Sequence, residues 1–471
     1  MHLMNEKNRA YYNQYLEECD LVFGGRLTGN ELVKFQNGKL QEILEYVYAN
    51  SSYYQKALAP YSGSFDSITI DTMNNLPFTT KETLREADMD ILSLPINEMT
   101  YYYETTGTTG KSTPCPRSMI EVMSSNITIS LAYKKLFEEV FGDYKPVVGV
   151  FGPTEIHSFG DSCGNICHNL DLCVVKAWPY SQLVGFKKAL ELMEKLNIEV
   201  IMCTPGLAMT LYKAAKHYGY VQGQNFNVKM LMLTGEICTE SMIHNISTLW
   251  GAKVFNFLYG SQETLVMATC NYNNKMNIFP HNYIYEVVKE ESDEVIGFEG
   301  EGELVVTMLN PGGKPLIRYR TGDLVRIENN PLSPIPTFEI EVLGRVKDKI
   351  QLNSRKFCAA DIERVIMSDL VNCIGYQITI TRVDGADYLE VRLEMSEKEH
   401  EQTRILSDIE ARIWTMIEVN STVEFSDGLS TTTFTGALVS WKAARIVDKR
   451  KQDSETEAAQ KVVEDQIVKN V

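Results

Sequence analysis

Val147-Val148-Gly149-Val150-Phe151 is the first of five short apolar runs that decide the fold predicted for this chain. The other runs cover residues 172–175, 199–202, 230–233 and 254–257. Amphipathic helical patterns separate several of them, over residues 182–195, 208–217 and 241–250. Apolar runs of this length indicate buried strands, and strands that alternate with helices predict a largely parallel, doubly wound sheet of the α/β class. Ligands of such sheets bind at the carboxyl ends of the strands.

A threonine- and glycine-rich stretch precedes this region, Thr105-Thr106-Gly107-Thr108-Thr109-Gly110-Lys111-Ser112-Thr113. Tyr101-Tyr102-Tyr103 before it favour a strand. Glycines let backbone N–H groups turn towards a ligand, and threonine hydroxyls add donors without bulk. The spacing is not that of a Walker loop, which would need glycine where Thr105 stands. By itself the stretch is as consistent with a solvated turn as with a phosphate-binding loop, and the residues downstream decide between the two.

Four segments with unusual residues follow the predicted strands. They cover residues 151–161, 204–206, 234–236 and 259–264. Each one alone is best interpreted as a connecting loop. Four of them at one edge of a parallel sheet predict a cleft.

The sequence becomes strand-rich after Pro280, over residues 283–288, 303–308 and 315–323. The last of these ends in Thr321-Gly322-Asp323. An aspartate after a glycine turn can accept two ribose hydroxyls, as acidic residues do in other nucleotide sites. The alternative is an ordinary turn cap.

A domain boundary is predicted after the most proline-rich stretch, residues 331–336, at Gly344-Arg345-Val346-Lys347-Asp348. We expect a large N-terminal domain at residues 1–343, a small α+β domain at 344–450 and a polar tail at 451–471. In the small domain, helices are predicted at 361–367 and 397–419, and strands at 377–381, 389–395 and 423–425. The first two of these strands are joined by an Asp384-Gly385 turn.

Composition limits the class of protein. The chain has 471 residues, 44% of them hydrophobic and 23% charged, which is ordinary for a globular protein. Its net charge of −17 argues against nucleic acid as a partner. No apolar run approaches the length of a membrane span, and no signal peptide is recognisable, so we expect a cytoplasmic protein that does not enter a membrane.

The ten cysteines are scattered and lie mostly in apolar segments, which is typical of buried free thiols in a reducing compartment. Cys163, Cys167, His168 and Cys173 could be metal ligands, but their spacing fits no common zinc pattern. Plain packing is the favoured interpretation of these four residues.

Together these segments resemble the adenylate-forming superfamily of acyl- and aryl-CoA ligases, peptide-synthetase adenylation domains and luciferases. Five motifs carry the resemblance in chain order: residues 105–113, 259–263, 319–323, 344–348 and a late lysine, Lys442. Within the superfamily the chain looks most like the phenylacetate–CoA ligase branch. The supporting details are Thr-Gly-Thr-Thr-Gly-Lys without a following Pro-Lys-Gly, Cys203-Thr204-Pro205 and the ending at residues 442–450. The resemblance implies a large doubly wound domain and a small mobile C-terminal domain.

The resemblance also implies a reaction in two steps. A carboxylic acid attacks the α-phosphate of ATP, which gives an acyl-adenylate and pyrophosphate. A thiol then takes the acyl group, and it belongs either to CoA or to the phosphopantetheine of a carrier protein. The chemistry requires positioning and positive charge near the phosphates more than covalent help from the protein.

Each motif acquires a role by this resemblance. The catalytic residues would be Lys442, Glu263 and Arg345, and Glu263 would hold Mg²⁺ against the phosphates. The nucleotide would be bound by Thr105, Thr106, Gly107, Thr108, Thr109, Gly110, Lys111, Gly235, Glu236, Tyr259, Gly260, Ser261, Gln262, Asp323 and Arg345. The substrate pocket would be lined by Phe151, Gly152, His157, Asp161, Gly235, Tyr259 and Gly260. Lys347 and Asp348 would form the hinge of the small domain.

Three functions stay open at this point: an acyl- or aryl-CoA ligase, a stand-alone adenylation enzyme that loads a carrier protein, and a nucleotide-binding relative without catalysis. Glu155, His157 and Asp161 occupy a segment expected to be apolar in simple arylacetate ligases, so a polar aryl or amino acid is favoured as the substrate. The cysteine-rich metal loop of some relatives is missing, which leaves Cys270 and His281 without partners and argues against zinc. The enzyme is expected to be a monomer or a homodimer.

Overall fold

The computed structural model describes residues 5–105, 112–397, 402–429, 432–435, 438–443 and 445–450. Contacts divide the chain into two compact units, each built from three segments. Unit 1 comprises residues 1–144, 154–171 and 257–347, and unit 2 comprises residues 145–153, 172–256 and 348–471.

Unit 1 contains the N-terminal helices and an antiparallel sheet. Its helices are α1 (Glu6–Phe23), α2 (Gly29–Asn50), α3 (Ser52–Ala57), α4 (Lys81–Ala87), α5 (Met119–Phe141) and α6 (Ser158–Asn169). Unit 2 contains helices α7 (Gly185–Lys195), α8 (Pro205–His217), α9 (Glu240–Trp250), α10 (Ala359–Met367) and α11 (Gln402–Ile417).

The five predicted buried strands are confirmed in unit 2. They are β1 (Val147–Val150), β2 (Val174–Lys176), β3 (Ile198–Cys203), β4 (Met230–Leu233) and β5 (Lys253–Asn256). All four pairings between them are parallel, in the order β2-β1-β3-β4-β5. Every residue of β3 and β4 is buried, which explains why these runs are almost entirely apolar rather than alternating. The exception is Glu199 in β3, whose carboxylate lies 2.7 Å from Nζ of Lys229.

The strand-rich region after β5 forms one antiparallel sheet in unit 1. Its strands are β6 (Leu258–Ser261), β7 (Leu265–Cys270), β8 (Met276–Ile278), β9 (Tyr283–Val288), β10 (Val295–Gly297), β11 (Gly300–Met308), β12 (Tyr319–Glu328) and β13 (Glu339–Arg345). Their order is β10-β9-β11-β12-β13-β8-β7-β6. The predicted strands at 283–288 and 303–308 are thereby confirmed.

The remaining strands belong to unit 2. They are β14 (Ile350–Leu352), β15 (Arg355–Phe357), β16 (Cys373–Val383), β17 (Ala386–Met395), β18 (Asn420–Phe425), β19 (Thr432–Thr435), β20 (Leu438–Ala443) and β21 (Ile446–Asp448). Four of them form a sheet in the order β18-β17-β16-β21. Asp384 and Gly385 both have positive φ, of 50° and 83°, as the predicted hairpin turn between β16 and β17 requires.

Three local predictions are corrected by the structure. Tyr101–Tyr103 do not form a strand; Tyr101 makes only an isolated bridge to Arg117, because strand-favouring residues need a long enough paired neighbour. Residues 259–261 are part of strand β6 rather than a loop. Asp323 lies within β12 rather than in a turn cap, because β12 continues through Gly322 as an irregular strand.

The predicted division at residues 343 and 344 stays a prediction. Residues 359–425 pack with the parallel sheet of unit 2 through one hydrophobic cluster. Asn245 of α9 exchanges two hydrogen bonds with the backbone of Cys373 in β16, at 2.8 and 2.9 Å. Within the described residues, no helix is both long and apolar enough to span a membrane.

Candidate active site

Asp323 lies at the centre of a buried polar cluster in unit 1. The hydroxyl of Tyr259 donates a hydrogen bond to Oδ2 of Asp323 over 2.8 Å, and Nε of Arg345 lies 3.3 Å from Oδ1. Asp323 and Tyr259 are buried, whereas half of the Arg345 side chain is exposed. A carboxylate has about four acceptor positions, so the Asp323 carboxylate can accept hydrogen bonds from several donors at once. Three residues predicted to bind nucleotide therefore lie together.

The position of Asp323 depends on a bulge in strand β12. Glu303 of β11 pairs with Leu324, but Val305 pairs with Arg320, so extra residues of β12 bulge out between these pairs. Gly322 has a φ of +74°, a conformation that residues with a side chain rarely adopt. The carboxylate sits directly opposite Arg345, its pairing partner in β13. Bulges commonly re-aim side chains next to active sites.

Glu263 lies in the tight turn between β6 and β7. The hydroxyl of Ser261 accepts a hydrogen bond from the backbone N–H of Thr264 over 3.1 Å and closes this turn. A Cβ atom at Gly260 would lie 2.3 Å from the carbonyl oxygen of Leu265, so the motif requires glycine there. The turn therefore depends on Gly260 and Ser261, the two small residues that come before Glu263.

The Glu263 carboxylate is 6% exposed and is paired with Lys81, whose Nζ lies 2.9 Å from Oε1. Burial alone would raise the pKa of Glu263, but Lys81, with a smaller contribution from Lys314, lowers it below its ordinary value. Glu263 is therefore held as a buried carboxylate anion. Its oxygen atoms suit Mg²⁺, which binds one or two carboxylates together with phosphate oxygens.

Lys81 is held next to the sheet by the segment before it. The backbone N–H of Thr79 donates to the carbonyl of Arg318 over 3.0 Å, and the N–H of Arg320 donates to the carbonyl of Thr79 over 2.9 Å. This pairing beside the start of β12 leads directly into α4, which begins at Lys81. The sequence analysis assigned no role to the ammonium group of Lys81.

The predicted phosphate loop is described only at its ends. Residues 106–111 lie outside the described residues. The N–H of Thr105 donates to the carbonyl of Thr113 over 3.1 Å, and the N–H of Thr113 donates to the hydroxyl of Thr105 over 2.9 Å. The ends of the loop are thus held together as in a hairpin.

Two further side chains lie at the base of this loop. Lys314 is buried, and its Nζ donates to the carbonyl of Pro114 over 2.9 Å. The Gln262 amide donates to the carbonyl of Glu104 over 3.4 Å. The turn that contains Glu263 and the base of the loop are therefore neighbours within unit 1.

The predicted pocket segment, residues 151–161, is divided between the units. His157 caps α6, since its Nδ1 accepts from the N–H of Phe159 over 3.1 Å. Asp161 in the first turn of α6 accepts a hydrogen bond from the Tyr103 hydroxyl over 3.0 Å. Phe151 and Gly152 are buried and belong to unit 2, where Phe151 joins the hydrophobic cluster.

In unit 2, Glu236 follows strand β4 and is almost completely buried. Its Oε2 accepts from the N–H of Gly206 over 3.1 Å and lies 3.3 Å from Nη1 of Arg445. Nη2 of Arg445 lies 3.4 Å from Glu363, whose carboxylate also accepts a hydrogen bond from the hydroxyl of Tyr376. Gly235 next to Glu236 has a φ of +85°.

The structure describes the predicted hinge residues, Lys347 and Asp348, completely, but only the backbone of the predicted catalytic lysine, Lys442. Lys347 and Asp348 form part of a short 3₁₀ helix, at the position where the chain passes from unit 1 to unit 2. Nζ of Lys347 lies 3.2 Å from Glu82 on the surface of unit 1. Lys442 lies in strand β20, and its side chain is outside the described part of the structure.

Three positively charged residues of these clusters were missed from sequence: Lys81, Lys314 and Arg445. None lies in a motif that indicates a ligand by spacing. Lys81 lies at the start of a helix and Lys314 follows two glycines, but lysines at such positions are also common in surface loops and do not by themselves indicate a ligand. Their positions depend on pairing between distant segments.

Most of the chain is similar in sequence to known proteins. The family model described as the AMP-binding enzyme C-terminal domain matches residues 359–450. A phenylacetate–coenzyme A ligase of Thermus thermophilus is 24% identical over 387 residues, which cover 79% of this chain and 83% of the relative. The phenylacetate–coenzyme A ligase of Escherichia coli K12 is 22% identical over 408 residues, covering 84% of this chain and 90% of that protein.

Solved structures show the same fold. A 2-hydroxyisobutyryl-CoA ligase in the postadenylation state superimposes with a TM-score of 0.71 at 18% identity and covers 92% of each chain. An acyl acid amido synthetase superimposes with a TM-score of 0.63 at 14% identity and covers 96% of each chain. The C-terminal family model and the similarity to phenylacetate–coenzyme A ligases, together with the ordered motifs, support placing the chain in the adenylate-forming superfamily, near its phenylacetate–CoA ligase branch.

Proposed function

We propose that this protein is an AMP-forming acid–CoA ligase. In the first step a carboxylate oxygen attacks the α-phosphorus of ATP, the bond from that phosphorus to the bridging oxygen breaks, and pyrophosphate leaves. In the second step the sulfur of CoA attacks the acyl carbon, and AMP leaves. The observation that carries the proposal is the cluster of Asp323, Tyr259 and Arg345, in which Tyr259 and Arg345 hold a buried carboxylate in place. In the proposed function this carboxylate would accept the ribose hydroxyls.

The residues around this cluster are assigned roles that suit phosphate chemistry. Glu263 would hold Mg²⁺, which neutralises phosphate charge when bound. Lys81 keeps Glu263 ionised. The loop at residues 106–111 would contribute N–H and hydroxyl donors to the departing phosphates. Lys442 would bridge the carboxylate and the α-phosphate, because a lysine ammonium is a compact charge on a long stem.

Pyrophosphate exchange tests the first step. The purified protein is incubated with Mg-ATP, labelled pyrophosphate and single acids, without any thiol. Label should return to ATP only with an accepted acid. A protein that binds ATP but exchanges label with no acid in a broad panel would contradict the proposal.

The acid is proposed to be polar, and Asp161 is the residue that favours this. Its carboxylate lies in the pocket segment and is hydrogen-bonded to Tyr103. Asp161→Ala should shift preference away from acids with an amine or hydroxyl and towards plain carboxylic acids. An unchanged substrate profile would show that Asp161 has only a structural role in α6.

The thiol acceptor distinguishes two versions of the enzyme. We favour CoA, since both compared relatives are named as CoA ligases. A carrier-protein phosphopantetheine is the second candidate, and the polar pocket segment, unusual for simple arylacetate ligases, favours it. A supplied acyl-adenylate should be converted to thioester by CoA in the first case and only by a holo-carrier protein in the second.

The hinge at Lys347 is proposed to separate the two steps. Rotation there would present a new face of the C-terminal region for the thiol step. Lys347→Pro restricts the backbone and should spare pyrophosphate exchange while it slows thioester formation. Equal loss of both steps would contradict a hinge role.

A further inference from the structure

A small polar cavity lies in unit 1 beside the base of the predicted phosphate loop. It is lined by Tyr101, Tyr103, Arg117, Val122, Asn126, Ser162 and Asn165. The centre of a water molecule can occupy a volume of about 10 Å³ inside this cavity. A volume of that size admits one compact group, such as a water molecule or an oxygen of a carboxylate.

Arg117 is the unusual member of this lining. It is 6% exposed, and its Nε has no hydrogen-bond partner among the described residues. Its guanidinium lies 5.2 Å from the centre of the Tyr103 ring. Within the part of the chain that the structure describes, no carboxylate forms an ion pair with it. The carboxylate of Glu121 acts on Arg117 through space, but it forms no ion pair with it and accepts hydrogen bonds from backbone N–H groups instead. A buried cation with no directly paired anion is costly, so this arrangement favours a ligand that supplies one.

The other polar groups of the cavity suit an anion as well. Asn126 is buried, and Asn126, Asn165, Ser162 and Tyr101 can each donate a hydrogen bond. Asp161 adjoins the cavity through its neighbour Ser162, and its carboxylate accepts from the Tyr103 hydroxyl. That bond restrains the Tyr103 side chain, whose ring lies against the guanidinium of Arg117.

The cavity lies on the same pair of segments as Thr105 and Thr113, the described ends of the predicted phosphate loop. Arg117 pairs with Tyr101, and Cys115 donates to the carbonyl of Tyr103, so the hairpin base leads from the cavity to Thr105. Two to four residues of extended chain span roughly 7–13 Å. An acid whose carboxylate reacts near the loop would therefore reach the cavity with its far end.

We propose that Arg117 binds a second carboxylate at the far end of the acid, so that the substrate class is a short-chain dicarboxylic acid. This inference rests on the proposed function, because it takes the first carboxylate to be the one that is adenylated. Arg117 and the amides around it bind the second carboxylate and select against acids that end in a methyl group. An amino diacid also belongs to this class.

The test uses the full-length protein and two series of acids of matched length. One series is the α,ω-diacids from succinate to suberate, and the other is the monoacids from butyrate to octanoate. In pyrophosphate exchange, kcat/KM of the best diacid should exceed that of its matched monoacid by roughly ten- to hundredfold, as expected for hydrogen bonds to a charged group. Arg117→Gln should abolish this preference while the monoacid rate changes less than about threefold.

Two variants control for charge and folding. Arg326→Met removes an exposed arginine of the same unit, which pairs with Glu301 and Glu341, and should leave the preference unchanged. Arg117→Lys retains the cation and should keep part of the preference. Calorimetric titration of the best diacid, without ATP, gives a readout that does not need turnover.

The outcomes separate this inference from the proposed function. Exchange with monoacids that equals or exceeds exchange with diacids overturns the inference and leaves the ligase proposal intact. A loss of similar size for all acids in Arg117→Gln also overturns it, since the residue would then be structural. Absence of exchange with every acid contradicts the ligase proposal, whereas diacid binding that depends on Arg117 would still support an anion site.

Discussion

The hydroxyl of Tyr259 donates a hydrogen bond to Asp323 over 2.8 Å, from strand β6 at one edge of the antiparallel sheet to strand β12 in its interior. Between these strands lie β7, β8 and β13 in the order of the sheet. The bond therefore joins residues that are neither neighbours in sequence nor partners in strand pairing. It holds the carboxylate on which the proposed nucleotide site depends.

Asp323→Ala is expected to abolish measurable ATP binding while the protein stays folded. The variant removes a charged acceptor, and each lost hydrogen bond to a charged group weakens binding by about 1.5–3 kcal/mol. Calorimetric titration with ATP measures the change, and circular dichroism checks the fold. Tyr259→Phe is the matched control and should bind ATP more tightly than Asp323→Ala, since Arg345 still holds the carboxylate. An unaltered Kd in Asp323→Ala would refute the ribose assignment.

Lys81→Met is expected to shift the acid limb of the pH–activity profile to higher pH. Lys81 lowers the pKa of Glu263 against the effect of burial, so its removal leaves burial dominant and raises that pKa. Glu263 then becomes protonated at a higher pH, and pyrophosphate exchange should fall first on the acid side. Lys188→Met, which removes an exposed partner of Glu191, should leave the profile unchanged.

Glu263→Gln separates the charge of this carboxylate from its shape. The amide is nearly isosteric but is a poor ligand for Mg²⁺, so nucleotide binding should persist while Mg²⁺-dependent exchange is lost. Titration with ATP in EDTA and exchange at several Mg²⁺ concentrations give the two readouts. A rate of pyrophosphate exchange equal to that of the wild type would show that Glu263 does not bind Mg²⁺.

Lys442→Ala should abolish pyrophosphate exchange and should matter much less for thioester formation from a supplied acyl-adenylate. The ammonium is expected to act only while the carboxylate and the α-phosphate react. Lys449→Ala is the control, because Lys449 belongs to the same motif and its backbone N–H donates a hydrogen bond to the carbonyl of Ile380 over 3.0 Å. Exchange that is lost only in Lys449→Ala would show that the late lysine was assigned to the wrong residue.

Arg445→Met is expected to lower the free energy of unfolding by about 3–5 kcal/mol, as when one partner of a buried ion pair is removed. Glu236 and Glu363 are buried and would both lose their cation. Urea unfolding followed by tryptophan fluorescence measures the loss. Adding Glu363→Gln to Arg445→Met should recover part of it, because one uncompensated charge is removed. A change below about 1 kcal/mol would show that the pair is not stabilising.

His281 should make the protein less stable as the pH falls below about 6.5, the ordinary pKa of histidine. Burial is the main cause that lowers its pKa to about 3, with a smaller effect from Lys39. Between these two values the unfolded chain binds a proton that the folded protein does not, so stability is lost as the pH falls. The expected loss is about 2 kcal/mol at pH 5. His281→Gln should flatten this slope by about one proton, and the exposed His244→Gln should not.

The apolar runs of β3 and β4 could be predicted because their information is local. Every residue of these strands is buried, and burial favours an apolar side chain at each position; the one charged residue, Glu199, is paired with Lys229. The Asp384-Gly385 turn was predictable for the same reason, since its backbone angles are set by two adjacent residues. The alternation of strands and helices then leaves few possible topologies.

Strand register and ion pairs did not follow from the sequence, because both are relations between distant segments. Tyr101–Tyr103 have the residues of a strand, yet without a long paired partner only Tyr101 makes an isolated bridge, to Arg117. Nothing local distinguishes Lys81 from an ordinary residue at the start of a helix, and its role depends on the pairing of Thr79 beside β12.

The sequence by itself determined the α/β class, the positions of the parallel strands and the motifs that place the chain in its superfamily, since burial and turn formation act over a few residues. Only the tertiary structure decided that Lys81 pairs with Glu263 and that Arg117 is buried beside a polar cavity. Both follow from which segments pack together. The free energy of a buried charge depends on the groups within a few ångströms, and these come from distant parts of the chain.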